Sequence, residues 1–446
     1  MMSQENLKKD AGLSRKLAAF TQSVALGSLS SKVVENAKMA ILDCLGVAVL
    51  AASQEIGEAV LKFARANGAA GPCTIWGTTM TASPRDAALF NGILAHGLDY
   101  DDRNHASTYT LATSLALAEN SEASGAKVLE AFIVGREVRG ALDQLFAKRS
   151  KGVGPGARGW HSNGILGPIA SACSAGKILQ LDSAKMVNAL GLAVGSCGAL
   201  TRDGGTMAKP FRVGHAAMTG INCVLLAQVG FTADESAMEG RYGLFEALGP
   251  LTDDIVALLE ENLGKEFELE KGVRVKPFSS CTATHAELEA MLRLVRKHRF
   301  DAGDVESIEC DLKPYPLVRQ IPRRGMEGRF SMPFCLAVAL IHREVKPNDF
   351  TEERLAEPSV QELMRRVEHI TGAAALTVRF KNGTHLAEII RPATNLQGWD
   401  TICDKFNDAT EKVLPRGQRS AIVEWVQRLE ELPAIGLMTR NLQKVP

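Results

Sequence analysis

Val305-Glu306-Ser307-Ile308-Glu309-Cys310-Asp311-Leu312 is the stretch where the chain changes period. Ile308, Cys310 and Leu312 fall on one face and Glu309 and Asp311 on the other, the alternation of a half-buried strand. Everything before residue 270 or so has a different texture. Ser30-Ser31 stands as a cap before Val33, Val34, Ala37, Ala40, Ile41 and Cys44, which recur at helical spacing. Leu111 to Ala118 continues through Val128, Phe132, Ile133 and Val138, and Ile165–Ile178, Met186–Val194 and Ala216–Val229 are rich in alanine and glycine. Small residues let helices approach closely, so this half reads as a tightly packed helical bundle.

Downstream of the strand, Leu376 to Phe380 and His385 to Ile390 flank Lys381-Asn382-Gly383-Thr384 and read as a hairpin. Its Asn-Gly step predicts a type I′ turn. Helical segments lie between (Ala286–Lys297, Met332–His342, Val360–Val367), and after Pro392 helices return (Trp399–Val413, Arg419–Leu429). The expected fold is mainly α: a large all-helical domain formed by both chain ends, residues 1–268 and 394–446, with a smaller α/β (α+β) lid domain, 269–393, inserted. A cleft between the two is the default place for a ligand.

The composition narrows the function. The chain's 446 residues exceed what one core usually holds. Lysine plus arginine equals aspartate plus glutamate at 51 each, and no basic stripe with interleaved aromatics occurs, so no nucleic-acid partner is expected. Met1 to Asp10 is polar and lacks the apolar core of a secretory signal. The most apolar run, Ala37 to Ala52, carries Asp43 and is short for a membrane span, so it reads as a buried helix and no membrane partner is expected. The nine cysteines are scattered without a CxxC pair, the pattern of reduced thiols and a cytoplasmic protein.

Titratable residues gather in Ala95-His96-Gly97-Leu98-Asp99-Tyr100-Asp101-Asp102-Arg103-Asn104-His105, between two apolar, small-residue segments. Charges there are costly to bury unless paired, which makes the run a site candidate. Three further motifs set ionisable groups among glycine, proline or apolar residues: Gly159-Trp160-His161, Gly204-Gly205-Thr206-Met207-Ala208-Lys209-Pro210 and Val275-Lys276-Pro277-Phe278. Lys209 and Lys276 each precede a proline, which predicts an extended, stiff loop presenting the ammonium; each is also readable as an ordinary surface lysine. His161 lies between a turn and a helix start, and His105 opens a helix; either is an acid–base candidate or a plain cap. Asp99, Asp101 and Asp102 lack the histidine spacing of a helical metal site, so no metal is expected; they orient histidines or cap helices. Gly152 to Gly156 lacks the context of a phosphate loop, and no dinucleotide fingerprint or nucleophile elbow is present. What remains is cofactor-free acid–base chemistry on an anion.

These motifs together resemble the MmgE/PrpD family, which includes 2-methylcitrate dehydratase, cis-aconitate decarboxylase and iminodisuccinate epimerase. The resemblance spans essentially the whole chain, through Asn91-Gly92 to Asp102, His105 to Glu119, Gly159-Trp160-His161, Gly205 to Pro210, Lys276 to His285 and Phe330-Ser331-Met332-Pro333-Phe334. It implies catalytic roles for His161, His105 and Asp99, with Asp99 fixing an imidazole tautomer. It implies substrate contacts from Lys209, Lys276, Arg103, Thr206 and Phe334. Phe334 falls where decarboxylases carry a tyrosine, and Arg103 where they carry a small hydroxyl residue. The resulting expectation is a homodimeric enzyme without cofactor acting on a small di- or tricarboxylate, first as a 2-methylcitrate-dehydratase-like hydro-lyase. Epimerisation of a dicarboxylate, cis-aconitate-type decarboxylation and non-catalytic metabolite binding are the alternatives.

Overall fold

The computed structural model describes residues 12–148, 155–249, 255–313 and 316–444. The polar segment Met1 to Asp10 and residues 152–154 of the glycine-rich loop lie outside the described residues. Helix α1 (Ser31–Ala52) begins where the sequence places its cap: the Ser30 hydroxyl accepts the Val33 N–H at 3.2 Å. The acid inside its apolar run, Asp43, is buried and paired with Lys405 at 2.7 Å. No single described helix is long and apolar enough to cross a membrane; α1 and the following helix, Glu55–Asn67, qualify only as a pair bent by 79°.

Five further helices build the site's surroundings: α2 (Pro84–His96), α3 (Ala106–Ser121), α4 (Gly125–Lys148), α5 (Ser162–Ile178) and α6 (Ala208–Gln228). Helix α3 is buried on every face from Ala106 to Ala118, so it runs through the centre. Two of its hydroxyls turn back on their own backbone: Thr110 donates to Ala106 O at 2.6 Å and Ser114 to Thr110 O at 2.7 Å. That satisfies them where no water reaches. Glycine and alanine set the crossings. A Cβ on Gly92 of α2 would lie 2.7 Å from Gly214 Cα of α6, and one on Gly167 of α5 would lie 2.9 Å from Ala216 Cβ. The backbones meet with no side chain between them.

A second buried core starts beyond residue 285. Helix α7 (His285–Lys297) and helix α8 (Met332–His342) pack with a four-stranded sheet. Its strands are β1 (Val305–Cys310), β2 (Val367–His369), β3 (Ala375–Phe380) and β4 (His385–Ile389), in the order β2-β1-β3-β4. Strand β1 runs parallel to β2 (Ile308 opposite Val367) and antiparallel to β3 (Ile308 opposite Val378). The predicted strand and hairpin are both present, but the turn is different. Gly383 has φ 83° while Asn382 is not left-handed, and type I′ requires positive φ at both. The hairpin closes instead over three residues, with the Phe380 N–H on Thr384 O and the Gly383 N–H on Phe380 O, both at 2.9 Å. Only the glycine takes the strained position. After β4, helix α9 (Trp399–Thr410) returns to the first core, where Phe406 packs against Gly46 of α1.

The α2–α6 crossing yields a stability test. In Gly214→Ala the new methyl overlaps Leu89 O and the Ile93 backbone, so the variant is expected to lose about 1–3 kcal/mol in urea unfolding. Gly417→Ala, with open space around its Cβ and a helical backbone, should be neutral or slightly stabilising.

Candidate active site

The loop from α2 to α3 is held at nearly every residue. Leu98 O accepts from Ser279 Oγ at 2.7 Å and from Arg329 Nε at 3.1 Å. Tyr100 O accepts from Lys405 Nζ at 2.7 Å. Buried Asp102 accepts from the Ser107 hydroxyl and from Arg136, whose other arm reaches Glu268 at 2.6 Å. This bracing supports two non-glycine residues in left-handed conformation, Asp99 (φ 50°) and His105 (φ 62°). Such strain persists only where the surroundings over-determine it, and it concentrates at functional sites.

Asp101, fully buried, accepts from two imidazoles: His96 Nδ1 on Oδ1 at 3.1 Å and His105 Nδ1 on Oδ2 at 2.7 Å. Burial alone would raise its carboxyl pKa, but His105 and then His96 hold it far below the usual range. Both rings therefore carry their proton on Nδ1, leaving each Nε2 a lone pair. The lone pair of His96 is taken by Lys209 Nζ at 2.8 Å. That of His105 lies 3.6 Å from Asp99 Oδ1, beyond hydrogen-bond range, at the cavity. The tautomer-fixing carboxylate is thus Asp101 and not Asp99, as the family resemblance implied. The reason is geometric: Asp101 lies five residues after His96 and four before His105, and the turn folds both rings onto it.

Asp99 has another partner set. Its Oδ1 accepts from Lys276 Nζ at 2.7 Å and from Lys209 Nζ at 3.2 Å, and Lys276 also donates to its backbone carbonyl at 2.9 Å. Burial opposes its charge, yet the two ammonium groups keep it ionised, well below its ordinary pKa. The lysines respond differently. Burial lowers Lys209, with Asp99 only partly restoring it; in Lys276 the charges of Asp99 and Asp101 outweigh burial and raise it. Neither is a surface lysine. Lys209 sits in the first turn of α6 rather than in an extended loop, because Pro210 falls where a helix has no use for the missing N–H.

His161 caps α5, and its Nδ1 accepts the Asn163 N–H at 3.3 Å. The neutral ring then carries its proton on Nε2, opposite to His105. Burial and the nearby charges of Arg212 and Lys209 hold it well below 6.5. Asp99, His105, His161, Lys209, Lys276 and Arg103 all line one cavity of about 440 Å³. Three helix N-termini converge on it, at His105 of α3, at Ser162 and Asn163 of α5 and at Lys209 of α6. Each brings the positive partial charge of a helix start, a setting that favours anions.

Three expected contacts come out differently. Phe334 is fully buried in the second core, against Phe350 at 5.7 Å between centroids, and does not line the cavity. Phe330 does, with Lys209 Nζ 5.0 Å from its ring centroid. The Thr206 hydroxyl donates to Asp203 O at 2.8 Å and is likewise off the cavity wall. Arg103 is on the wall, but its Nη2 donates to Ala393 O at 3.0 Å and Thr394 O at 2.7 Å, so it ties the loop to the segment after β4. Sequence reasoning passed over His96, although it lies in the titratable run on the last turn of α2. It also passed over Arg139, thirty-four residues beyond His105, in a helix that carries other charges such as Arg136, Glu137 and Asp143.

His96, Asp99, Asp101 and His105 offer ligand atoms all within 4.8 Å of one another, close enough for a metal ion. The ammonium of Lys209, however, bonds both His96 Nε2 and Asp99, and Lys276 holds the same Asp99 oxygen. A cation there must displace two positive charges.

Family models place the chain against known proteins. The MmgE/PrpD N-terminal domain matches residues 15–253 and the MmgE/PrpD C-terminal domain residues 278–431. Cis-aconitate decarboxylase of Mus musculus is 27% identical, the match covering 96% of this chain and 92% of the relative. The Homo sapiens enzyme of that name is 26% identical, over 97% and 94%. One from Aspergillus terreus is 25% identical, over 85% of each.

The buried rings set a pH dependence. His96 is lowered to about 3 by burial and the Lys209 charge, while the unfolded chain binds a proton near 6.5. The unfolded state thus takes up more protons, and stability is expected to fall as pH drops from about 6.5 toward 3. Urea midpoints across that range check the sign. Nitrogen-15 NMR should show His96 still neutral, protonated on Nδ1, at about pH 5; a charged ring there would contradict the hydrogen-bond assignment.

Proposed function

The chain belongs to the MmgE/PrpD family, and on that premise we propose that it is a lyase acting on a small polycarboxylate. One observation carries this reading: two ammonium groups and three helix N-termini surround a cavity that also presents one imidazole lone pair and one imidazole N–H. Carboxylates of the ligand satisfy the positive field. As bond breaking pushes electrons toward a carboxylate, Lys209 and Lys276 meet the growing charge. His161, through Nε2–H, holds a substrate oxygen. His105, oriented by Asp101, moves the proton at carbon. The four-stranded unit and its helices serve as the lid in this reading, with residues 269–393 as its span.

Decarboxylation of a cis-aconitate-type tricarboxylate stands first. The relatives just described carry that name, and Phe334, which stands where decarboxylases carry a tyrosine, lies away from the cavity. The carbon–carbon bond breaks, carbon dioxide leaves, and the electron pair spreads toward the neighbouring carboxylate. His105 then gives a proton to carbon; the polyanion's charge raises its pKa so that it is protonated in the complex. Dehydration is the second reading, favoured by the neutral state of His105 in the free site. There Nε2 removes the proton beside a carboxylate while His161 assists the departing hydroxyl.

The two readings have opposite pH signs. Decarboxylation needs charged His105, so kcat should fall as pH rises; dehydration needs it neutral, so kcat should rise. Carbon dioxide release and proton NMR in heavy water, with cis-aconitate and 2-methylcitrate as the two substrates, identify the reaction. Absence of turnover or deuterium exchange with either compound would overturn the enzyme reading. Asp101→Asn should lower kcat roughly 100- to 10,000-fold by releasing the His105 tautomer, and Lys209→Ala should cost about 1.5–3 kcal/mol of carboxylate binding. Turnover is expected to survive prolonged chelation with EDTA; loss restored by a divalent ion would reassign the four-residue cluster as a metal site.

A further inference from the structure

We propose that Arg139 is a specificity-determining residue: it grips a carboxylate of the substrate on a wall of the cavity separate from Lys209 and Lys276. This rests on the carboxylate reading above and names the part of the site that reads the ligand's far end. Arg139 comes from the middle of α4, and its side chain is only 2% exposed, yet it lines the cavity. Its Nη2 donates to Ser162 Oγ at 3.0 Å and to Asn163 Oδ1 at 3.3 Å, which fixes the plane of the guanidinium against the first turn of α5. Its Nη1 lies 2.9 Å from Asp143 Oδ1, and the buried Tyr109 hydroxyl lies beside it. None of these contacts involves the cluster of Asp99, Lys209 and Lys276.

The counter-charge is the telling part. Asp143 also lines the cavity, but its side chain is 44% exposed. A guanidinium buried this deeply is paired with a carboxylate that water reaches, an incomplete partner for it. The guanidinium, held by its Nη2 on Ser162, and the N-terminus of a 17-residue helix lie together on this wall. A ligand carboxylate there receives charge-assisted hydrogen bonds from a rigid fork and the helix's positive end. A ligand confined to the lysine wall gains nothing from it.

Calorimetry on the full chain tests this with two unreactive probes: malonate, short enough to occupy the lysine wall alone, and propane-1,2,3-tricarboxylate, long enough to reach both. Arg139→Gln should weaken the tricarboxylate roughly 10-fold or more and leave malonate unchanged. Asp143→Asn, at a half-exposed position, removes the competing carboxylate and should tighten the tricarboxylate; this arm decides the matter if Arg139→Gln fails to fold. Tricarboxylate affinity unmoved in both variants overturns the proposal while the carboxylate reading stands. Equal weakening of both probes by Arg139→Gln, without a gain in Asp143→Asn, also overturns it and makes the arginine structural. Wild-type protein that binds neither probe overturns the carboxylate reading itself, and this proposal with it.

Discussion

The Asp99 carboxylate, buried between the ammonium groups of Lys209 and Lys276, is the interaction on which the rest of the site depends. Each of the three charges would be costly alone in so dry a place. Together they compensate, and in doing so they join three distant parts of the chain: the loop after α2, the first turn of α6 and the segment leading into the second core. The left-handed backbone of Asp99 follows from this demand, since its carbonyl and carboxylate must both face Lys276. Removing one partner would leave an uncompensated buried charge, the most damaging change such a cluster can suffer.

Around that anchor the charges are sorted by pKa. Lys276, raised, is a fixed cation, while Lys209, lowered, is the more acidic ammonium. His105 and His161 are neutral in the free site and bear opposite tautomers, one set by Asp101 and the other by a helix-capping N–H. A lone pair and an N–H thus face one cavity without any unusual residue. His161 is a cap, and the cap is what fixes its proton on Nε2.

The helical packing supports this sorting. Glycine and alanine at the crossings of α2, α5 and α6 bring the backbones close, so the three N-termini that carry His105, Ser162 and Lys209 end at one point. Longer residues there would spread the helices and weaken the summed positive field. Buried Lys405 makes the return of the chain matter to chemistry: it bonds Tyr100 O and Lys276 O from α9 while paired with Asp43 of α1. Helix α9 thereby braces two site segments it does not itself enter.

Local pattern determined much of this protein. The helical first half, the strand at Val305, the hairpin, the Ser30 cap and the candidacy of the segments carrying Asp99, His105, His161, Lys209 and Lys276 were legible because periodicity, capping and costly charges in apolar surroundings are short-range signals, while their grouping into one site was implied by the family resemblance. The tertiary structure decided what those signals leave open. The choice of Asp101 over Asp99 as the imidazole partner, the neutral lone pair of His105, the withdrawal of Phe334 and Thr206 from the cavity, the bond of His96 to Lys209 and the entry of Arg139 into the cavity all depend on which atoms face each other in the folded chain. A sequence states which charges must be compensated; only the folded chain, through distances of 3 Å or so between groups that hydrogen-bond, states by whom.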